Sequence, residues 1–157
     1  MSTRFAADTS VSVERSKAEI ERLLARYGAE QFVSGWRNNE ALIGFVLERR
    51  TIRFLLPLPP KNSPEFTKTA TGRQRRNPND VEHAWEQACR SRWRALLLVI
   101  KAKLEAVAVG ISTIEDEFLA WTVLPGGDRT VGEVLRPQIA ASIESGKPAR
   151  LLLGGGQ

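Results

Sequence analysis

No glycine or proline occurs between Pro78 and Gly110, and within that stretch Trp85, Cys89, Trp93, Leu96, Leu97, Ile100, Leu104 and Val107 recur at three- and four-residue spacing. Ile111 continues the row. This is the periodicity of one helix face, and it predicts a helix over 80–112. Asn79 is the expected N-cap, with Asp80 and Glu82 in the first turn, where the helix dipole favours negative charge. At 1.5 Å per residue such a helix is roughly 50 Å long. It must span its domain or protrude from it, and its apolar face requires a second layer.

The residues before it supply that layer. Ser16-Lys17-Ala18-Glu19 has the form of a capping box; Ile20, Leu23, Leu24 and Tyr27 then follow at helical spacing, and Gly28 provides a left-handed stop. After Gly28 the period changes to two. Phe32, Ser34 and Trp36 share one face of a first strand that ends at Asn38-Asn39, a pair suited to a tight turn. Ala41, Ile43, Phe45 and Leu47 alternate with Leu42, Gly44 and Val46, and Ile52, Phe54 and Leu56 alternate with Arg53 and Leu55. Pro57, Pro59 and Pro60 end the sheet, since they lack the N–H a ladder needs. The expected fold is α+β: an N-terminal helix, a three-stranded antiparallel meander, a long central helix and a C-terminal helical cap. That cap comprises a short piece over 114–124, a Pro-Gly-Gly-Asp turn and a helix launched by the capping box Thr130 to Glu133. Pro137 is expected to kink or split it before Ser145-Gly146. The organisation reads as one domain over 16–147, with residues 1–15 a mobile tail and 148–157 a frayed end.

Composition excludes several classes. Of 157 residues, 42% are hydrophobic and 26% charged, ordinary values for a globular chain. One cysteine and one histidine rule out an internal disulfide and a Cys/His zinc set. The longest apolar run, Ala95 to Ile100, is far too short for a membrane span. No membrane partner, cofactor or metal is expected, and the reading is a reducing, cytoplasmic setting. There is no Walker motif, no G-x-G-x-x-G and no H-E-x-x-H. His83, Glu86 and Cys89 spread around the helix rather than forming a nucleophile and base, and Glu115-Asp116-Glu117 suits a solvated turn better than a two-metal centre. No catalytic residue is assigned.

The net charge is +5, and its distribution is the informative part. Arg49 to Lys103 carries thirteen Lys/Arg against four Asp/Glu, whereas the flanks are net acidic. The loop over 61–79 holds Lys61, Lys68, Arg73, Arg75 and Arg76 against Glu65, with Thr67, Thr69, Thr71 and Gly72 interleaved. Such a loop is either a solvated linker or a phosphate-gripping element, because hydroxyls, backbone N–H groups and guanidinium groups together are what phosphate contacts use. On the long helix, Arg90, Arg94 and Lys101 share a stripe with His83, and no acid lies between Arg90 and Lys103 to neutralise them at i,i+4. Arg50 and Arg53 on the third strand would extend the track. Lys68, Arg73, Arg75, Arg76, Arg90, Arg94, Lys101, Arg50 and Arg53 are therefore the candidate nucleic-acid contacts. Trp36 and Phe66 are the candidate base-stacking residues, whereas Trp85 and Trp93, on the apolar helix face, are assigned to packing.

The segments SKAEIERLLARYGAEQF, RRTIRFLLPLP, SRWRALLLVIKAKLEAV and FLAWTVLPGGDRTVGEVLRPQI resemble small uncharacterised proteins of bacteriophages and prophages from regions devoted to DNA metabolism. Three antiparallel strands followed by a long helix are also similar, at the level of fold, to single-strand annealing proteins of the Rad52 and phage recombinase type. The phage resemblance implies a setting in DNA metabolism inside the host cell, and the fold-level similarity implies a basic groove that holds single-stranded DNA. With no catalytic motif, the expected function is non-enzymatic binding of single-stranded DNA, with annealing in recombination or replication. A homo-oligomer is expected, because a helix of roughly 50 Å has more apolar surface than a three-stranded sheet can cover. The rival readings are a phage-encoded module that docks on a host or phage protein and a metal-dependent nuclease using the acidic triplet.

Overall fold

The computed structural model describes residues 6–37 and 40–149. The expected α+β architecture is present. Helix α1 (Val13–Arg26) is followed by strands β1 (Glu30–Arg37), β2 (Glu40–Leu47) and β3 (Arg50–Pro57), a short helix α2 (Pro64–Thr67) and the long helix α3 (Pro78–Ala108). Helix α4 (Ile114–Phe118), a 3-10 turn (Leu119–Trp121) and helix α5 (Val131–Ser145) complete it. The strands pair antiparallel in the order β1-β2-β3. Leu47 pairs with Arg50 across a two-residue turn, Glu48-Arg49, in which both residues take positive φ (48° and 64°). That turn geometry matches the twist of a hairpin and is adopted here without glycine. Gln31, at φ 57°, marks a bulge where the β1–β2 register slips between Glu30 and Phe32.

Alternation decides which sheet face is covered. Ala41, Ile43, Phe45 and Leu47 of β2 and Ile52 and Phe54 of β3 are buried with Ile20, Leu23 and Leu24 of α1 and with Trp93, Leu96, Leu97, Ile100 and Leu104 of α3. Both helices thus lie on one face, in two layers. Phe118 closes the core, edge-on to Phe45 and Phe54 at 5.9 and 6.2 Å. Each of these large side chains gains about 1.5–3 kcal/mol from burial.

Helix α1 starts one turn earlier than the capping box suggests. Ser12 accepts from Arg15 N at 3.2 Å, whereas Ser16 is buried inside the helix. Glu19 reaches forward to Arg94 at 2.9 Å rather than back to a cap. Preceding residues are laid on α3, because Gln87 Nε2 donates to the carbonyls of Ala7 and Thr9 and Ala6 is buried. Helix α3 is capped by Asn77, with Pro78 in its first turn, and is about 46 Å long. The Asn38-Asn39 turn and residues 150–157 lie outside the described residues.

Helix α5 is not split by Pro137. The proline leaves the Glu133 carbonyl without its usual N–H donor, and Arg129 Nη2 takes that carbonyl at 2.9 Å. Both hydrogen bonds of the expected capping box, between Thr130 and Glu133, are formed. No helix among the described residues is long and apolar enough to cross a membrane.

Candidate nucleic-acid interface

The basic loop is a folded element. Ser63 and Pro64 start α2, whose Phe66 is buried and anchors the segment, so this ring is unavailable for base stacking. From there the chain forms a small hairpin. Thr69 N donates to Arg73 O at 2.8 Å, Gly72 N to Thr69 O at 2.9 Å, and Arg75 N to Thr67 O at 2.7 Å. Gly72 has φ 78°, a value that favours glycine at this turn. Arg75 folds inward, donating from Nε to Lys68 O and from Nη1 to Asp80 O, each at 3.3 Å. It pins the hairpin to α3 instead of offering a free guanidinium. Lys68, Arg73 and Arg76 are exposed and have no ion pair among the described residues.

At the same end of the molecule lies an aromatic cleft. Trp36, 61% exposed at the end of β1, and Trp85, half-buried in α3, both line two adjoining cavities of about 510 and 380 Å³. The first is completed by Leu58, Pro59, Pro60, Lys61 and Asn62, the second by residues of α1 and α3 that include Lys17, Arg90 and Trp93. Trp85 is oriented by its Nε1–H, which donates to Pro59 O at 2.8 Å. Lys61 Nζ lies 4.4 Å from the Trp85 ring centroid, and Lys17 Nζ lies 5.5 and 4.8 Å from those of Trp36 and Trp93. A large exposed ring beside a second ring offers flat apolar surface, with the Lys17 ammonium over it, while the Lys61 ammonium is held by Glu82 at 2.8 Å. Trp85 packs against the core, as its place on the apolar helix face predicts, and its half-buried ring also lines the cleft. The sequence names Lys61 only as a cation of the basic loop and does not single out Lys17, because nothing local places either over an indole.

The remaining cations go elsewhere. Arg53 is buried on the opposite sheet face and donates from Nη1 to Asp128 Oδ1 at 2.7 Å, and from Nη2 to Asp128 O at 2.7 Å and Glu133 Oε2 at 3.0 Å. It clamps β3 to the start of α5, which corrects its assignment to a phosphate track. Arg50 is likewise engaged, by Glu115 at 2.6 Å and by Glu48. Both arginines lie away from the hairpin, because β3 runs from the α4 end toward the hairpin end, so strand, loop and helix do not merge into one groove. Arg90 is held by Gln87 Oε1 at 2.7 Å, and Arg94 by Glu19. Glu19 thus supplies the acidic partner that the segment from Arg90 to Lys103 lacks. Lys101 is exposed and lines a groove of about 340 Å³ between α1 and α3 with Arg22, Arg26 and Arg94.

The Glu133 carboxyl is held below its usual range, first by the Thr130 backbone N–H and then by the Arg53 guanidinium, working against desolvation. Burial pushes the Cys89 thiol up. Within the acidic triplet, Glu115 pairs with Arg50 and Glu117 with Lys103 at 3.2 Å. No group of three metal-ligating side chains occurs among the described residues. Comparison with protein families, with characterised proteins and with solved structures finds no match to this chain.

Proposed function

We propose that this protein binds single-stranded nucleic acid, DNA by preference, through the surface formed by the Trp36–Trp85 cleft and the basic hairpin, and that it acts by binding rather than catalysis. The observation that carries the reading is the exposed Trp36 ring facing the cleft it shares with Trp85. Bases are buried in a duplex and open in a single strand, so an indole platform selects the latter. Lys68, Arg73 and Arg76 have no carboxylate partner among the described residues, and they would meet the phosphates of the strand whose bases enter the cleft.

The test is fluorescence anisotropy with a labelled oligothymidine and with a duplex of equal length, at about 50 mM salt. The single strand should bind more tightly. Trp36→Ala should weaken it by about 1–3 kcal/mol, the contribution of one stacked base, while Trp36→Phe retains most of the affinity. Absence of single-strand binding at this salt, or equal affinity for wild type and Trp36→Ala, would sink the proposal.

A further inference from the structure

Helix α5 buries none of its fifteen residues. A helix of this length is marginal in water unless an apolar face is covered, and among the described residues α5 packs chiefly on the 3-10 turn, with the Arg53–Glu133 ion pair holding its first turn. There Gly132 comes so close to the 3-10 turn that a Cβ would stand 2.8 Å from Ala120 O. Beyond that contact the two elements diverge and leave an apolar groove of about 590 Å³, walled by Leu119, Trp121, Leu135, Ile139 and Ile143. Ile143 is 77% exposed, Leu119 49% and Ile139 43%.

Leu135, Ile139 and Ile143 are spaced i, i+4, i+8 and form a ridge directly beside the groove. A patch carrying both a ridge and its complementary groove can pair with itself about a two-fold axis. Its charges suit the same arrangement. Asp116 and Arg136 both line the groove, and neither has an ion-pair partner among the described residues. A two-fold contact would bring each toward its opposite on the other copy.

We propose that this groove is the seat of a symmetric homodimer in which α5 of each copy lies in the groove of the other. The seat is at the opposite end of α3 from the Trp36 cleft, so pairing leaves the cleft open, and the proposal does not depend on what the cleft binds.

Sedimentation velocity of the full chain, from about 1 to 100 µM, tests it. The wild type should sediment at twice the 17.5 kDa chain mass. Ile143→Glu should raise the dimer dissociation constant at least about tenfold, with circular dichroism checking that helix is retained. Arg136→Asp should also weaken pairing, and adding Asp116→Arg to the same chain should restore it. This reciprocal swap stays informative even if Ile143→Glu fails to fold. A wild type that is monomeric at 100 µM overturns the proposal, as does a dimer indifferent to both Ile143→Glu and Arg136→Asp. A monomer that begins to dimerise only when residues 150–157 are removed also overturns it, and would assign the groove to that segment.

Discussion

Replacing Arg53 by methionine removes a guanidinium but keeps most of the buried stem, so it isolates the clamp between β3 and α5. Three donor contacts are lost, at 2.7, 2.7 and 3.0 Å. Hydrogen bonds to charged groups contribute about 1.5–3 kcal/mol each when desolvated, but the Asp128 side chain is 79% exposed, so water screens that pair to about 1 kcal/mol or less. The bonds to the Asp128 carbonyl and to the one-third-exposed Glu133 carry most of the effect. Removing Arg53 also removes its Nε, which is buried without a partner, and this returns about 1 kcal/mol. The net expectation is a loss of about 2–3 kcal/mol, or roughly 5–10 °C in Tm for a chain of this size, read by thermal denaturation at 222 nm. The pH dependence follows from Glu133, whose folded pKa is lowered in part by Arg53. A lowered carboxylate pKa contributes stability that is present above the unfolded value and lost as pH falls through the folded one. The gap between wild type and Arg53→Met should therefore narrow below about pH 4. Oligonucleotide affinity and its salt slope should not change. A variant with unchanged Tm and a flatter salt slope would show that Arg53 meets phosphates and that the clamp is misread.

Three further outcomes follow from the geometry. Changing Lys68, Arg73 and Arg76 together to alanine should reduce the slope of log affinity against log salt by about 2, since each phosphate neutralised on a single strand contributes about 0.7. Between 50 and 200 mM salt the triple variant should lose about 20-fold less affinity than the wild type, and an identical slope would remove the hairpin from the interface. Gly132→Ala should destabilise the junction of α5 with the 3-10 turn by about 1–3 kcal/mol, because its Cβ would stand 2.8 Å from Ala120 O; an unchanged melting curve would contradict the close approach. Cys89 is buried and its thiol pKa is raised, so iodoacetamide at neutral pH should modify it far more slowly in the native protein than in urea, and equal rates would contradict its burial.

The parts legible in the sequence are those written in short-range periodicity. The apolar row of α3 from Cys89 to Leu104 and the alternation in β2 each lie within one element and are kept in the fold, whereas the row stops short of Ile111, which is 80% exposed beyond the helix end at Ala108. The misplaced features depend on partners distant in the chain. Ser16-x-x-Glu19 satisfies the pattern of a capping box, yet Glu19 is drawn to Arg94, 75 residues away, and the cap passes to Ser12. Arg53 sits in a strand pattern that gives no sign of Asp128 and Glu133, 75 and 80 residues on. Phe66 looks exposed because its neighbours are polar, but it is buried in the short helix α2, which packs against α3. Pro137 is tolerated because Arg129, eight residues earlier, satisfies the carbonyl that the proline leaves open.

The same long-range pairing changes what the basic middle third can do. Arg50, Arg53, Lys61, Arg90, Arg94 and Lys103 all have protein acceptors, so net charge overstates the cations available to a ligand. Among the described cations of that third, those without an acceptor are Lys68, Arg73 and Arg76 on the hairpin, Arg49 in the β2–β3 turn, and Lys101, which lines the α1–α3 groove with Arg22 and Arg26 of α1. Pro78, where the hairpin enters α3, and Lys101 are about 35 Å apart along the helix. A strand with the duplex rise of about 3.4 Å per nucleotide needs about ten nucleotides to bridge them, and an extended strand needs fewer. Affinity should therefore rise with oligonucleotide length up to about ten and then level toward the statistical increase. Arg22→Ala with Arg26→Ala should weaken a twenty-nucleotide strand while leaving a five-nucleotide strand, which reaches only the hairpin and cleft, within twofold. Equal losses at both lengths would mean that the groove is not a separate part of the track, and no loss at either would confine binding to the hairpin and the Trp36 cleft.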